Sequence, residues 1–433
     1  MPFEQSFSSR KSIAVIGAGI SGMGAAHYLA DHHDVTLIEA EPRLGGHART
    51  VMAGRAGDKA VDTGFIVFNY ANYPHLTALF EHLDVPVAKS DMSFGASVRG
   101  GALEFGLSSL DAVFAQRKNA LDPRFLGMIR DVMRFNARAV DAARDRRQSI
   151  GEFIEKMGLG DWFRDYYLLP LSGSIWSTPV EQIMDFPAHA MIQFFENHAL
   201  LHHTGQHQWW TVEGGSREYV RRLEADLRKR GVTIRLGAPV EAVTRDGLSA
   251  EVRLNGAEPL RFDEVIFATH SDDTLRLLAD ADADERRVLG AVRYQPNDIV
   301  LHADEAVMPK RRKVWSSWNY AEGPAQRDGQ IDLTYWMNRL QPIPKDDPLF
   351  VTLNSRRTIR EELIYDQVTL RHPVYDLAAL DAQAEARLMQ GRRNTWFCGA
   401  WMANGFHEDG LKSAFDVAEA IRARKPELQE AAE

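Results

Sequence analysis

The stretch VIGAGISGMGAAHYLADHHDVTLIEA, residues 15–40, allows two interpretations that would place the chain in different compartments. The basic residues Arg10 and Lys11 precede an apolar run rich in small residues, which is typical of a secretory signal. A signal helix requires an uninterrupted apolar core, however, and four glycines and His27 interrupt this run. The pattern therefore favours a folded element over an export signal.

The same stretch has the layout of a dinucleotide-binding strand–helix–strand unit. A short strand, residues 12–16, leads into GAGISG, residues 17–22, which is a G-x-G-x-x-G motif. The first glycine allows a tight turn, the second lets the backbone approach a pyrophosphate, and the third lets the helix pack on the strand. The helix start offers free N–H groups and its positive dipole end to phosphate. The expected cofactor contacts here are made by Gly17, Gly19, Ile20, Ser21 and Gly22.

A second strand, residues 35–38, ends in Glu39 and Ala40. A carboxylate at this distance after Gly22 can accept hydrogen bonds from ribose hydroxyls. A G-x-G-x-x-G motif alone is weak evidence, but here the strand, helix, second strand and acid are in register. We therefore expect a dinucleotide site that includes Glu39 and Ala40.

Length, composition and charge agree with a globular protein of several domains. A chain of 433 residues predicts two or three domains, and 45% hydrophobic and 26% charged residues are ordinary fractions. No uninterrupted apolar run is long enough to predict a membrane-spanning helix. The single cysteine, Cys398, excludes a disulfide framework and suits the cytoplasm. The net charge of -9 argues against nucleic acid as a partner.

A second glycine turn follows Glu39 in the segment EAEPRLGGHARTV, residues 39–51. A nicotinamide site needs no such turn. The backbone N–H groups of a Gly-Gly turn could reach the pyrophosphate and ribityl chain of a longer cofactor. The alternative is that Gly45-Gly46 is a plain loop turn. The arrangement resembles the FAD fingerprint of the flavin amine oxidase and phytoene desaturase superfamily. The resemblance implies FAD as the cofactor and Glu39 on the adenosine ribose. It also implies that Arg43 or Arg49 neutralises phosphate, and that Arg43, Gly45, Gly46 and His47 contact the cofactor.

Further segments resemble the same superfamily at both ends and in the middle of the chain. The resemblance implies an α/β fold, in which a Rossmann-like FAD-binding domain carries a discontinuous α+β substrate domain. The FAD-binding domain would comprise residues 1–75, 206–290 and 391–433, and the substrate domain residues 76–205 and 291–390. The resemblance also implies further cofactor contacts from Thr63, Gly64, Phe65, Val240, Ala268, Gly399, Ala400, Gly410 and Leu411.

Three longer motifs are similar to one branch of this superfamily: LSGSIWS (171–177), NHALLHHTGQHQWWTVEGGS (197–216) and WFCGAWMANGFHEDGLKSA (396–414). That branch is the flavoprotein fused to, or encoded beside, cyclopropane fatty acid synthases and related lipid methyltransferases. The likeness covers nearly the whole chain. It implies that the protein desaturates methylated or otherwise modified fatty acyl chains that are carried on phospholipids. This reaction would be a step on the route towards furan fatty acids. A lipid methyltransferase would then be a partner, and the cytoplasmic protein could contact the inner face of the membrane.

The candidate catalytic residues are His407 and Glu408, just before the helix expected to meet the flavin. A histidine that titrates near neutral pH could take the proton that leaves during desaturation. The structural alternative is that both residues cap the helix or hold its loop, together with Asp409. No metal site is expected, because His202, His203 and His207 lack an acidic third ligand at a familiar spacing.

Two other functions remain open on the sequence. The first is an amine oxidase acting on a small amine or polyamine. The second is a non-enzymatic flavin-bearing subunit that delivers lipid to a methyltransferase. A lipid enzyme should have a surface for the bilayer, and two segments are candidates for it. One is the basic run at residues 310–315, and the other is the helical face of Met191, Phe194, Phe195 and Leu200.

Overall fold

The computed structural model describes residues 10–176, 180–202, 205–323 and 331–424. The strands are β1 (Ser12–Ile16), β2 (Asp34–Ile38), β3 (Thr50–Ala53), β4 (Lys59–Asp62), β5 (Val67–Asn69), β6 (Val87–Ser90), β7 (Phe94–Val98), β8 (Leu103–Gly106), β9 (Trp209–Val212), β10 (Thr233–Arg235), β11 (Val240–Arg245), β12 (Ala250–Leu254), β13 (Leu260–Phe262), β14 (Glu264–Phe267), β15 (Arg293–His302), β16 (Trp318–Ala321), β17 (Asp332–Trp336), β18 (Phe350–Leu353), β19 (Ile364–Val374) and β20 (Thr395–Phe397). The α-helices are α1 (Ile20–Leu29), α2 (Pro74–His82), α3 (Leu110–Val113), α4 (Pro123–Ala142), α5 (Ile150–Met157), α6 (Asp161–Phe163), α7 (Leu169–Trp176), α8 (Val180–Ile183), α9 (Ala188–Asn197), α10 (Arg217–Lys229), α11 (Ser271–Leu277), α12 (Ala283–Ala291), α13 (Met337–Leu340), α14 (Leu377–Leu388) and α15 (His407–Ala423).

The strand β1 lies at the centre of a five-stranded parallel sheet of order β10-β2-β1-β14-β20. Ile13 and Val15 join the core formed with α1, α2, α10 and α15. Ala14 and Ile16 join the core formed with β11 to β13, α11, α12 and α14. Both faces of the sheet are therefore covered, which explains why β1 is a continuous apolar run. The carboxyl ends of β1, β2 and β14 lie side by side, where ligands bind in open parallel sheets.

A second sheet of seven strands has the order β19-β15-β18-β17-β16-β7-β8 and is antiparallel except for the β16–β7 pair. All its strands come from the two segments predicted as the substrate domain. Helices α4, α5, α7 and α9 pack against it through an aromatic core. The mixed α/β fold is therefore the one predicted from the sequence.

Some elements pack across the predicted domain boundaries. Strand β6 pairs with β9, and α2 buries Leu76, Leu79 and Phe80 in the core of the parallel sheet. Helix α14 likewise contributes buried alanines to the core on the other face of that sheet, where it packs against α12. The boundaries of the two domains stay a prediction.

Within the described ranges, no helix combines the length and the apolar character that crossing a membrane requires.

Candidate active site

The turn between β1 and α1 has the geometry that a pyrophosphate requires. Gly17 has a φ of 97°, and its N–H donates to the Ile38 carbonyl at 2.8 Å. A methyl group on Gly22 would lie 1.8 Å from the Gly17 carbonyl oxygen, so the helix can approach the turn only through glycine. Among the described residues, a methyl group on Gly19 would meet no atom within 4 Å, and no side chain caps α1. The start of α1 is thus open to an anion beside Gly19.

Glu39 lies at the carboxyl end of β2, as predicted for a ribose contact. Its Oε2 accepts the Ala18 N–H at 2.7 Å, and its Oε1 accepts the Glu41 N–H at 2.9 Å. Its carbonyl accepts the Ala238 N–H at 2.9 Å, which brings the segment leading to Val240 alongside. Ala40 is exposed next to it. The residues predicted for the adenosine half of the cofactor therefore lie together at one edge of the sheet.

The Gly-Gly turn packs directly on the first glycine turn. Gly45 donates to the Ala18 carbonyl at 2.8 Å, and a methyl group on Gly46 would lie 3.0 Å from the Cα of Gly19. Arg43 was predicted near phosphate, but its guanidinium donates to the carbonyls of Gly46 at 2.9 Å and Ala48 at 3.3 Å. It therefore holds the turn in shape, and phosphate contact by Arg43 stays a prediction.

The C-terminal helix α15 brings the other end of the chain to the same place. A methyl group on Gly410 would lie 2.7 Å from Ser21 Oγ and 3.1 Å from Ile20 Cγ2, so the starts of α1 and α15 converge. Two positive helix ends therefore point into one region. Leu411 is fully buried against Gly24 of α1.

The ends of strands β14 and β20 close the same region. The Ala268 carbonyl oxygen would lie 2.9 Å from a methyl group on Gly17. Gly399 donates its N–H to Ser413 Oγ of α15 at 2.9 Å, and the Ala400 nitrogen would lie 3.6 Å from a methyl group on Gly410. Residues predicted from distant parts of the sequence therefore meet around the first glycine turn.

The segment Thr63-Gly64-Phe65 connects this region to His407. Gly64 passes so close to the backbone of His47 that a methyl group would lie 2.0 Å from the His47 carbonyl oxygen. The ring of Phe65 stacks on the ring of His407, with 3.8 Å between centroids and 15° between planes. Thr63 is buried and donates its N–H to the Arg49 carbonyl at 2.9 Å.

His407 does not meet the expectation of a histidine that titrates near neutral pH. Burial, which disfavours the charged ring, lowers its pKa to about 3. Its Nε2 lies 3.0 Å from the hydroxyl of Tyr219 on α10, and we assign the more acidic phenol O–H as the donor. Tyr219 is fully buried, and burial raises its pKa well above the usual value. His407 is therefore a neutral imidazole held between Phe65 and Tyr219.

Glu408 and Asp409 make the contacts of capping residues. The two carboxylate oxygens of Glu408 accept the N–H groups of His75 at 3.0 Å and Leu76 at 2.9 Å, at the start of α2. Asp409 accepts the Phe406 N–H at 2.9 Å, at the start of its own helix. Burial raises the pKa of Glu408, and it raises the pKa of Asp409 to about 6. The geometry thus favours the structural alternative for Glu408, and its catalytic role stays a prediction.

The rings of two further histidines, which the sequence analysis did not identify, lie close to the ring of His47. Its ring centroid lies 5.7 Å from that of His270 and 5.6 Å from that of His372. Burial lowers the pKa of His270 and of His372 to about 3, so both are neutral. His270 follows the apolar strand β14 closely, and this position at a carboxyl strand end was the available signal. His372 lies in the long strand β19, where no sequence signal marked it.

Asp62 is a buried carboxylate to which the sequence assigned no role. It accepts the Ser216 N–H at 2.9 Å, the Ser216 hydroxyl at 2.7 Å, the Thr50 hydroxyl at 2.6 Å and the Gln341 side-chain amide at 2.9 Å. These partners belong to three distant segments. Burial, which outweighs these hydrogen bonds, raises the pKa of Asp62 to about 6. Asp62 therefore ties the start of α10 to the region after α13.

Two groups of histidine and aspartate side chains in the described residues have donor atoms within 4.8 Å of one another. They are His27, His82 and Asp226, and His270, Asp272 and Asp273. In each group an arginine pairs with a carboxylate: Arg230 with Asp226 at 3.3 Å, and Arg371 with Asp272 at 2.5 Å. These are ion-paired arrangements, and the prediction of no metal stays a prediction. Of the three histidines weighed as a metal cluster, His203 lies outside the described residues.

The aromatic residues between 162 and 210 pack mainly on one another as core. Trp176 contacts Phe186, Phe194 and Phe195, and all four are buried. The ring of Phe194 also stacks on the ring of Phe406, with 5.0 Å between centroids, which links α9 to the start of α15. A cavity of about 40 Å³ lies beside this contact and is lined by Asn72, Tyr73, Phe194, His198, Asn404, Phe406, Glu408 and Asp409.

Comparison with known proteins identifies the family. The profile described as flavin-containing amine oxidoreductase matches residues 20–319, which is more than half of the chain. The chain is 26% identical to the hydroxyneurosporene desaturase of Rubrivivax gelatinosus over 289 residues, 59% of this chain and 52% of that protein. It therefore spans about half the length of this curated relative.

Two solved structures share the fold. The fatty acid isomerase of P. acnes, which produces CLA, superposes with a TM-score of 0.68 at 16% identity and covers 96% of this chain and 99% of its own. Putrescine oxidase bound to putrescine superposes with a TM-score of 0.69, also at 16% identity, and covers 96% of this chain and 99% of its own. At such low identity, these likenesses support the fold and carry no information about the substrate.

The residues around the first glycine turn fit FAD. A pyrophosphate fits the open space at Gly19 and the uncapped start of α1. A ribose fits the carboxylate of Glu39 at the end of β2. The convergence of α15 on the same turn provides a positive helix end for the flavin ring. The match over residues 20–319 shows that the chain belongs to the flavin-containing amine oxidoreductase family, and the residues of this site fit the FAD cofactor of that family.

Proposed function

We propose that the chain desaturates a methylated or otherwise modified fatty acyl chain, carried on a phospholipid. The observation that carries this proposal is the set of stacked aromatic rings at the start of α15. Phe194 stacks on Phe406 at 5.0 Å, and the neighbouring His407 stacks on Phe65 at 3.8 Å. Stacked rings and a neutral imidazole favour an apolar chain over a charged substrate. The likeness to a desaturase and the resemblance to the cyclopropane synthase branch support the same proposal.

Desaturation removes one hydrogen as a hydride and one as a proton from adjacent carbons, and bound FAD supplies the hydride acceptor. The protein must orient the chain and provide for the proton. Phe65 and Tyr219 hold the ring of His407 in one orientation, but its Nε2 lone pair already accepts the Tyr219 O–H, so proton transfer to His407 stays a prediction. A lipid methyltransferase would supply the modified chain, which makes such an enzyme the proposed partner.

Oxidation of a small amine is the second candidate, and one specific observation favours it. The cavity beside α15 combines the rings of Tyr73, Phe194 and Phe406 with the carboxylates of Glu408 and Asp409. Aromatic faces and carboxylates both attract an ammonium group. Both carboxylates, however, already accept backbone N–H groups, which leaves them less available to a cation. Family membership favours the desaturase or the amine oxidase over a non-enzymatic flavin carrier.

The test is an anaerobic visible spectrum of the FAD-bound protein before and after adding substrate. Methyl-branched and cyclopropane phospholipids, unmodified phospholipids and polyamines are compared in parallel. We expect the flavin band to bleach only with modified lipid, and the recovered acyl chain to weigh two hydrogens less. Bleaching with polyamines alone would establish the amine oxidase, and no bleaching with any of the three would contradict both proposals.

A further inference from the structure

Helix α4 carries exposed apolar residues beside the apolar face that it buries. Its buried face joins the aromatic core that α4 shares with α5, α7 and α9, through Phe125, Met128, Phe135 and Ala139. Leu126, Met133 and Val140 are 44%, 57% and 47% exposed. These three residues are spaced by seven, which is two helical turns, so they form one outward stripe along the helix.

The exposed apolar residues extend from this stripe to the segment before α4. Leu110 begins α3 and is 79% exposed, and Leu121 ends the 3-10 turn before α4 and is 87% exposed. Of the thirteen large hydrophobic side chains exposed in the described part of the chain, six lie between residues 107 and 140. The apolar exposure is therefore concentrated in this region, which we call the α4 surface: Leu110, Leu121, Leu126, Met133 and Val140.

The charge around the α4 surface is opposite to that of the protein as a whole. Residues 110–147 contain nine arginines and lysines against five aspartates, whereas the chain has a net charge of -9. Four of these basic residues are exposed and have no side-chain partner within the ranges that the structure describes: Lys118, Arg138, Arg146 and Arg147. Residues 110–147 therefore carry both exposed aliphatic side chains and uncompensated positive charge.

The two membrane surfaces predicted from the sequence differ from this one. Met191, Phe194 and Phe195 are buried in the core. Within the basic run, Arg311 pairs with Glu104 at 2.7 Å and Lys313 pairs with Asp111 of α3 at 2.9 Å. The basic run is therefore largely neutralised, but its contact with Asp111 places it next to Leu110.

We propose that the α4 surface docks on an anionic phospholipid bilayer. Aliphatic side chains on a helix that lies flat can enter the boundary between headgroups and acyl chains, while arginines and lysines bind anionic headgroups. A symmetric contact between two copies would instead place this positive face against itself, and like charges would oppose it. The choice of phospholipid as the partner rests on the proposed function, but docking requires no turnover.

The test is flotation of the FAD-bound protein with vesicles of phosphatidylglycerol and phosphatidylcholine, compared with pure phosphatidylcholine. We expect binding to the anionic vesicles that weakens with salt. The double variant Arg138→Glu and Arg146→Glu should bind at least about 25-fold more weakly, because each basic residue near an anionic surface contributes about five-fold. The double variant Leu126→Ser and Met133→Ser should also lose binding. Matched controls are Lys229→Glu and Leu388→Ser, which are exposed elsewhere.

Unchanged FAD content and thermal midpoint will show that the variants fold. Equal binding of wild type and both double variants would overturn the proposal, as would equal binding to anionic and neutral vesicles. A stripe variant that changes only the oligomeric state would assign the surface to a second copy. Flavin reduction by lipid dispersed in detergent is measured separately, so docking and the proposed reaction can fail independently.

Discussion

Glu39 shows how one side chain links the local motif to the cofactor. Both its oxygens accept backbone N–H groups, and each oxygen keeps a lone pair for a ribose hydroxyl. We expect Glu39→Ala to weaken FAD binding by about ten-fold or more, because hydrogen bonds to a charged group contribute about 1.5–3 kcal/mol. The measurement is the flavin-to-protein ratio after dialysis, with the exposed Glu251→Ala as the control. Full retention of FAD would exclude the ribose contact.

Tyr219 acts on the site through His407 and is a positioning residue. Tyr219→Phe removes only the hydroxyl at 3.0 Å from His407 Nε2. We expect the variant to keep FAD and to slow flavin reduction by substrate about 2- to 10-fold, as for the loss of a neutral hydrogen bond of about 0.5–1.5 kcal/mol. His407→Ala should slow reduction further and also retain FAD. Tyr28→Phe on α1 is the matched control, and equal rates in all three variants would leave His407 a structural residue.

At the scale of elements, the packing of α1 on the first glycine turn depends on Gly22. A methyl group there would lie 1.8 Å from the carbonyl oxygen of Gly17, and backbone cannot move aside as a side chain can. Gly22→Ala should therefore lower the free energy of unfolding by about 1–3 kcal/mol or more, and release FAD. Thermal unfolding and flavin content measure both effects. Gly127→Ala in α4 is the control, since a methyl group there meets no atom within 4 Å. It should be neutral or stabilise by up to about 1 kcal/mol.

Asp62 joins elements that are far apart in sequence, and only a carboxylate can accept from all its donors. In Asp62→Asn the amide nitrogen would face another donor, the Ser216 N–H or the Gln341 side chain. We expect a loss of about 1–3 kcal/mol in stability, the cost of an unsatisfied buried group. Differential scanning calorimetry measures it, and the exposed Asp58→Asn is the control. An unchanged midpoint would mean that these segments are held together without this carboxylate.

At the scale of the whole molecule, buried histidines should make stability fall in acid. Burial lowers the pKa of His198 and His302 to about 4, and of His270, His372 and His407 to about 3. Below pH 6.5 the unfolded chain binds protons on these residues, whereas the folded chain does not until about pH 4 or lower. Each group therefore removes about 1.4 kcal/mol of stability per pH unit across this window.

Two aspartates act in the opposite direction. Burial raises the pKa of Asp62 and Asp409 to about 6, so their contribution to stability is present at low pH and is lost as the pH rises towards 6. Five histidines outweigh two aspartates, and we expect the thermal midpoint of the apoprotein to fall between pH 6 and pH 4. His302→Gln should reduce this dependence, and the exposed His32→Gln should not. A thermal midpoint that rises on acidification would contradict the expectation that the histidines outweigh the aspartates.

Much of the cofactor site was predictable because it depends on contacts between neighbours in sequence. A strand, a glycine turn, a helix and a second strand follow one another in residues 12–39, and their periodicity and glycines specify the unit locally. The turn at Gly45-Gly46 and the helix after Gly410 carry equally local signals. Their assembly around Gly19 agrees with the prediction that distant segments share one cofactor.

The sequence by itself thus determined the α/β fold, the FAD cofactor and the segments that meet around the first glycine turn. Only the tertiary structure decided the state and surroundings of individual side chains. Burial made His407 neutral, and the start of α2, far away in the sequence, engaged Glu408. Packing also decided which apolar face of α4 is covered and which faces outward. The physical reason is that glycine turns and periodicity act between neighbours, whereas burial depends on what the rest of the chain places against a residue.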